Sequence, residues 1–569
     1  VRKLFIDEGI KIMWNKISVF VASFFQEEEA DRATAKWWQY LFGILLLALC
    51  GWRVYNGLEE VMDIQFADES AYMRFGLDLF DKLNRDWGPM YCIWYKLLSY
   101  ITTDTIQLYY LNYALTSVLL VLLLYVFLLR MSVAPVLALL VSFSVLVSEL
   151  NVSVWPRISH FCIMLLLAFL VVITYFKKAT HRLLLFALVC LIISYARPEF
   201  YLSFLGTIAL LLLALWYHRK QLNGRDYTWL VIAFVVMGIL HFIFRFPSND
   251  FFGYNRGVAA FYQHYAFNFK VRTNSPVDAW LYWEDICKQQ FGDCNSMWCV
   301  IKKQPMIVVD NTLYNLKNYI LTTLVNAYSY IFPMPVFSSG KIKAGIMLLI
   351  PLAFMLLLRK RDYRMEVGRQ LYQWRWYLLV LLVFVAPTVL SCIVVFPRQH
   401  YVFLQMLLVL LLLMAILQPM FKRIVLSPVL FILFGGCLLL ATPNVRQYSF
   451  LKVNNDTNSL CNKALVRELA GAYSDKPHTL FTNMPFVRGM LPVSFREVNT
   501  IFDKKKHVPF QHYLDSAKID IVILTPATFR DPHIIFDSSW TQFVRNYPNY
   551  GFKKKELSGC ETYLLVKEP

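Results

Sequence analysis

Eleven apolar stretches, separated by charged or turn-forming residues, most constrain what this chain can fold into: 36–56, 106–129, 132–149, 158–176, 183–196, 200–217, 228–246, 342–358, 376–396, 400–418 and 424–442. A helix that crosses a bilayer needs about 20 largely apolar residues, with about 17–25 tolerated. The fifth stretch is short and runs into Tyr195-Ala196-Arg197-Pro198-Glu199, so a kink, or burial by neighbouring helices, is expected there. Hydrophobic residues make up 58% of the chain, against about 45–50% in soluble proteins. The expected fold class is an α-helical polytopic membrane protein with about eleven spans.

The formal charge of +18 raises the question of nucleic acid. No basic stripe with interleaved aromatics occurs, so no nucleic-acid partner is expected, and Lys and Arg are read as reporters of orientation. With a cytoplasmic N-terminus, the basic connections at Arg130, 177–182, 218–226, 359–375 and 422–423 all fall on the cytoplasmic side. Loop 57–105, the turn from Asn151 to Arg157, the ARPEF corner, segment 247–341, the VVFPRQHY corner and the tail from 443 then share the other face. Function is expected on that face, in a layout read as that of a bacterial inner-membrane protein.

Three regions follow. Segment 1–35 contains the amphipathic KIMWNKISVFVASFF followed by Glu27-Glu28-Glu29, and has no small-residue cleavage pattern. It reads as a helix on the cytoplasmic surface, or as a weakly ordered leader. Region 36–442 is the membrane domain, with outer loops 57–105 and 247–341. A helical pattern from Ile307 to Tyr330 within the second loop is expected to pack on the membrane face. Region 443–569 alternates strand-like and helix-like patterns (HTLFTNM, VPFQHYLDSA, IDIVILTP, SSWTQFVRNY, ETYLLVK), as a small soluble α/β domain would. It lacks a Gly-rich phosphate loop.

Cysteine usage separates by depth. Cys50, Cys92, Cys162, Cys190, Cys392 and Cys437 lie in or near spans and read as small core residues. Cys287, Cys294 and Cys299 lack the knuckle spacing of a zinc site and suggest a disulfide within the trio, whereas Cys461 and Cys560 suggest one linking the two ends of the tail.

The polar residues of the outer face carry the chemistry. Asp68-Glu69-Ser70-Ala71-Tyr72 follows the first span, and the chain returns to the membrane through Trp87-Gly88-Pro89-Met90-Tyr91. This pattern resembles the GT-C superfamily of membrane glycosyltransferases, including protein O-mannosyltransferases and aminoarabinose transferases, with one proline of their re-entry motif missing. Phe396-Pro397-Arg398-Gln399-His400-Tyr401 resembles their late Arg-Tyr corner, with two residues inserted.

The resemblance implies a polyprenyl-phosphate sugar as donor, a hydroxyl of a glycan, lipid or protein as acceptor, and Asp68 as the base. Glu69 is the alternative base, or a residue that orients the loop or helps to hold a divalent cation, Mg or Mn. Tyr72 and Tyr401 enter as substrate-binding residues of the two motifs. The chemistry is consistent: a sugar on a phosphate leaving group needs a base for the acceptor and cations for the departing phosphate.

Other readings of the same residues stand beside these. Asp68 could instead cap the helix that follows it. Arg197 and Glu199 could serve the donor phosphate or only close a turn between spans. Arg398 suits bidentate phosphate recognition, and His400 could donate to the phosphate, ligate a metal or line the helix start. Arg256 and His264, in YNRGVAAFYQHYAFNF, could belong to a sugar site or to an interfacial aromatic belt. The alternative function is a secondary transporter or flippase of a lipid-linked or amphiphilic substrate, and a third is a scaffold that keeps a transferase fold with a dead site.

Overall fold

In lipid every backbone N–H and C=O must pair within its own segment, so the apolar stretches fold as helices. The computed structural model describes residues 35–81, 83–154, 156–247, 250–251, 254–331, 355–448, 451, 460–499, 509–531 and 534–568. The amphipathic N-terminal segment and most of the expected span 342–358 lie outside the described residues. The membrane-domain helices are α1 (Trp37–Tyr55), α2 (Asp68–Leu77), α3 (Pro89–Ser99), α4 (Thr105–Arg130), α5 (Pro135–Leu146), α6 (Ile158–Ile173), α7 (Ala179–Ser194), α8 (Phe200–His218) and α9 (Gly224–Phe244). After a short hairpin of β1 (Asp250–Phe251) and β2 (Tyr254–Asn255) come α10 (Arg256–Thr273), α11 (Trp283–Phe291), α12 (Met297–Lys303) and α13 (Pro305–Ile331). The series ends with α14 (Arg361–Gln373), α15 (Arg375–Val394), α16 (Gln399–Phe403), α17 (Met406–Phe421) and α18 (Pro428–Ala441).

Among the described residues, five helical segments are long and apolar enough to cross a membrane: Trp37–Glu60, α4, α8, α9 and α15. α5, α6, α7, α17 and α18 are apolar but shorter, at 12 to 16 residues. Local chemistry sets these limits. Asp104 caps α4 by accepting from the N–H groups of Ile106 (2.8 Å) and Gln107 (3.0 Å), and Pro occupies the first turn of α5 and α18. α5, α6 and α7 are buried on most sides, so neighbouring helices cover what lipid would otherwise meet. The expected stretch 400–418 is broken at Leu404–Gln405, where the Tyr319 hydroxyl donates to Gln405 Oε1 at 2.6 Å.

The basic connections gather at one end of the bundle. Arg130 donates to Thr174, Lys178 pairs with Asp226 at 2.8 Å, Trp374 donates to the Met131 carbonyl and Gln418 to the Ser132 carbonyl.

The Ile307–Tyr330 pattern folds as one long helix, α13. α13 runs into the bundle along α15, α16, α17 and α5. Its buried positions include Asn311, Asn315, Asn326 and Ser329, while Met306, Leu313, Ile320 and Leu324 are exposed. A helix with polar residues inward and apolar residues outward suits lipid on one side and protein on the other.

The tail begins with α19 (Cys461–Ala472) and forms a five-stranded sheet of β3 (His478–Thr482), β4 (Phe495–Asn499), β5 (Ile521–Leu524), β6 (Phe552–Glu556) and β7 (Tyr563–Lys567), in the order β4-β3-β5-β7-β6. The first three strands are parallel, and β7 and β6 add antiparallel. One face, with Phe481, Val522, Leu524 and Leu565, packs under α20 (Phe510–Ala517) and α21 (Ser538–Asn546). The other face, with Leu480, Ile521, Ile523 and Leu564, belongs to the same core as the membrane helices. Cys461–Cys560 and Cys294–Cys299 are disulfides, and Cys287 is a buried thiol. Of the six cysteines assigned to the membrane core, Cys437 is exposed and the other five are buried.

Candidate functional site

The Asp68–Tyr72 motif is positioned by close backbone approaches. Gly88 adopts φ +52°, and a side chain there would come within 2.9 Å of both the Ala196 carbonyl oxygen and the Tyr72 ring. The Met90 N–H donates to the Tyr195 carbonyl at 3.3 Å. The Trp-Gly-Pro re-entry is thereby seated on the Tyr195–Glu199 corner, which brings two sequence-distant motifs together.

Asp68 is the first residue of α2. The cap position belongs to Ala67, with no side-chain cap bond, so Asp68 does not serve as the helix cap. Protein surrounds Asp68, yet its surface stays accessible, as for a group facing an enclosed but open space. Burial raises its pKa above the ordinary carboxylate value, opposed by the charges of Arg256, Arg398 and Arg197. Among the described residues Asp68 has no hydrogen-bond or ion-pair partner.

The three arginines differ in how they are held. Arg197 is tied to Glu199 (2.5 Å) and Ser159 (3.2 Å) and lies 4.5 Å over the Tyr401 ring. Arg398 stands over the Trp280 ring at 5.1 Å, and Arg256 begins α10. Neither Arg256 nor Arg398 has a carboxylate within ion-pair distance among the described residues. Among the described residues, one unpartnered carboxylate is thus surrounded by two guanidinium groups without counterions and a third that Glu199 neutralises. That excess of positive charge suits an anion, and the planar donors of Arg suit phosphate.

The aromatic and imidazole groups complete the surroundings. Tyr72 is buried against Trp87 (5.9 Å) and Tyr91 (5.2 Å), within electrostatic reach of Asp68 and Arg256. His264 has its Nδ1 2.6 Å from the Ala260 carbonyl oxygen and stacks on Phe396 at 5.4 Å. Burial and the nearby Arg398 hold its pKa down to about 3, so the ring is neutral in ordinary buffers. His400 is buried beside Tyr401, with Arg197, Arg398 and His264 as its neighbours.

Glu69 points elsewhere. Its Oε1 accepts from Tyr91 (2.6 Å), Asn112 (3.0 Å) and Tyr95, and its Oε2 accepts from the Arg157 N–H (2.9 Å). At 3% exposure it is poorly placed to take an acceptor proton. A cavity of about 20 Å³ lined by Glu69, Tyr109, Asn112 and Arg157, but not by Asp68, has room for about one water.

The donor chemistry does not fit a divalent cation. Asp68 stands among guanidinium groups, Glu69 is committed to four donors, and no group of three or more His, Cys, Asp or Glu among the described residues could hold a metal.

The sequence brought out Asp68, Tyr72, Arg197, Arg256, Arg398, His264, His400 and Tyr401, and the structure gathers them. It did not bring out Trp280 or Arg157. Trp280 lies in a loop without periodicity. Arg157 is 1% exposed, lies 3.3 Å over the Tyr113 ring and donates to the Asn151 carbonyl at 2.7 Å. The only sequence signal for Arg157 is a lone Arg between two apolar stretches. No protein-family model matches this chain, and no curated protein matches it either.

Proposed function

We propose that this is a GT-C-like membrane glycosyltransferase that moves a sugar from a polyprenyl-phosphate carrier to an acceptor hydroxyl at the outer membrane face. The observation that carries the reading is the Asp68 carboxylate, without a partner among the described residues, set among Arg256, Arg398 and Arg197. Asp68 takes the proton of the acceptor hydroxyl as its oxygen bonds to the anomeric carbon. The anomeric C–O bond to phosphate breaks in the same displacement, with inversion, and the polyprenyl phosphate leaves as an anion beside Arg398 and Arg256. Aromatic rings at Tyr72, Trp280 and Tyr401 offer faces for a sugar. The carrier's tail adds affinity through lipid, at about 0.8 kcal/mol per buried methylene. Eleven spans, with the basic connections cytoplasmic and the C-terminal domain periplasmic, complete the proposal.

Vesicles holding the purified protein, polyprenyl-phosphate sugars and a set of hydroxyl acceptors test it by release of polyprenyl phosphate. Arg398→Ala is expected to raise the donor KM about 10- to 100-fold, because charge-assisted hydrogen bonds contribute about 1.5–3 kcal/mol, and Arg398→Lys to recover part of the loss. The base must be ionised, and its pKa is raised. The transfer rate therefore climbs with pH through a value above the ordinary 3.8 of Asp and then levels off, with no step from His264. A pH–rate profile checks this.

One observation favours the transporter reading. Asn326 and Tyr330, on the inward face of α13, keep buried polar atoms without partners among the described residues, and intramembrane polar groups often line substrate paths. Movement of an intact lipid-linked sugar across the same vesicles, with no phosphate released, would support it.

A further inference from the structure

We infer that the C-terminal domain is a strut that holds Asp68 in place, with Gly489 and Asp63 as its positioning residues. This rests on the reading of Asp68 as the base. In sheets of parallel strands, ligands usually occupy the crevice beyond the carboxyl ends. Here the loop that leaves the carboxyl end of β3 reaches the first turn of α2. The Ala67 N–H donates to the Pro485 carbonyl at 3.0 Å, and the Phe486 ring packs on Trp87 at 5.3 Å.

Gly489 lies so close to Ser70 that a side chain would sit 2.7 Å from its carbonyl carbon and overlap the carbonyl oxygen. The Ser70 main chain follows Asp68 by two residues within one helical turn, so this collision displaces the carboxylate. β4 fixes the loop from behind: the Arg488 N–H donates to Glu497 at 2.8 Å, and Asn499 Nδ2 donates to the Met484 carbonyl at 2.7 Å.

A second contact grips the other side of the motif. The buried Asp63 carboxylate accepts from the N–H groups of Asn462 (2.8 Å) and Lys463 (2.9 Å) at the start of α19, beside the Cys461–Cys560 disulfide. Asn462 Nδ2 donates to the Ile64 carbonyl at 2.7 Å. The backbone from Asp63 to Ser70 is therefore bracketed by two parts of one domain, whose sheet shares its core with the membrane helices.

The test uses the full chain in nanodiscs. Gly489→Val is expected to raise amide hydrogen exchange over residues 66–77 by about tenfold while the spans stay protected. It should also lower kcat by about tenfold or more with the donor KM within about twofold, since small misplacement of a base costs rate and spares binding. Asp63→Asn keeps the shape and should shift both readouts in the same direction, which preserves the test where Gly489→Val does not fold. Unchanged exchange over 66–77 in a folded variant, or loosened exchange with an unchanged kcat, overturns the inference. Loosened exchange in a protein whose wild type transfers no sugar leaves the strut standing and removes the transferase reading.

Discussion

Asp68→Asn is expected to fold like wild type and to lose about 10²- to 10⁴-fold in transfer rate, the span that a positioned general base contributes. The substitution keeps the shape and deletes the charge. Asp68 has no hydrogen-bond partner among the described residues and keeps an accessible surface, so the substitution strips no donor of its acceptor, water can satisfy the new amide, and folding is spared. Removing the carboxylate from among Arg197, Arg256 and Arg398 also increases the local positive charge. Donor binding should therefore hold or tighten while turnover collapses, which distinguishes a lost base from a lost binding group. Steady-state kinetics on released polyprenyl phosphate, with thermal unfolding alongside, measures both.

Glu69→Ala is expected to do the opposite, damaging folding first. Four donors from Tyr91, Tyr95, Asn112 and the Arg157 backbone converge on this carboxylate at 3% exposure. Removing one partner of a buried charged network costs about 3–5 kcal/mol, because the groups left behind stay desolvated. Detergent-solubilised Glu69→Ala should show a markedly lower Tm and reduced recovery as a monodisperse species. The pH dependence has a definite sign. Burial raises the folded-state pKa of Glu69 above its ordinary 4.5, so its contribution to stability is greatest in acid and declines as pH rises from 4.5 through that raised value. Acid treatment should not unfold the protein through Glu69.

The two neighbouring carboxylates show where sequence reading stops. Asp68 and Glu69 are adjacent in the first turn of one helix, and helical geometry turns their side chains in different directions. One faces the arginines and the other the tyrosines of α3, and only the packing of α3 and α4 decides which. Apolar run length located ten of the eleven expected stretches as apolar helices, because in lipid that property alone determines local structure. It overstated α5 and α6, whose neighbours relieve them of matching a bilayer. In the tail, β5 and β7 were legible from their Ile, Leu and Val runs, and β3 from the Leu480-Phe481 pair set between threonines. β6 was not, because Phe552-Lys553-Lys554-Lys555-Glu556 is an edge strand with a charged surface and no apolar alternation. The convergence of Arg197, Arg256 and Arg398 depends on helices far apart in the chain, and no local pattern encodes it.

The most direct measurement is mass spectrometry of polyprenyl-phosphate sugars and cell-surface glycans in cells that express wild type, Asp68→Asn or no protein. The expected result is accumulation of one lipid-linked sugar with matching loss of one glycosylated product, alike in the Asp68→Asn and null cells. A folded Asp68→Asn protein that restores the wild-type glycan pattern would contradict the assignment of Asp68 as the base.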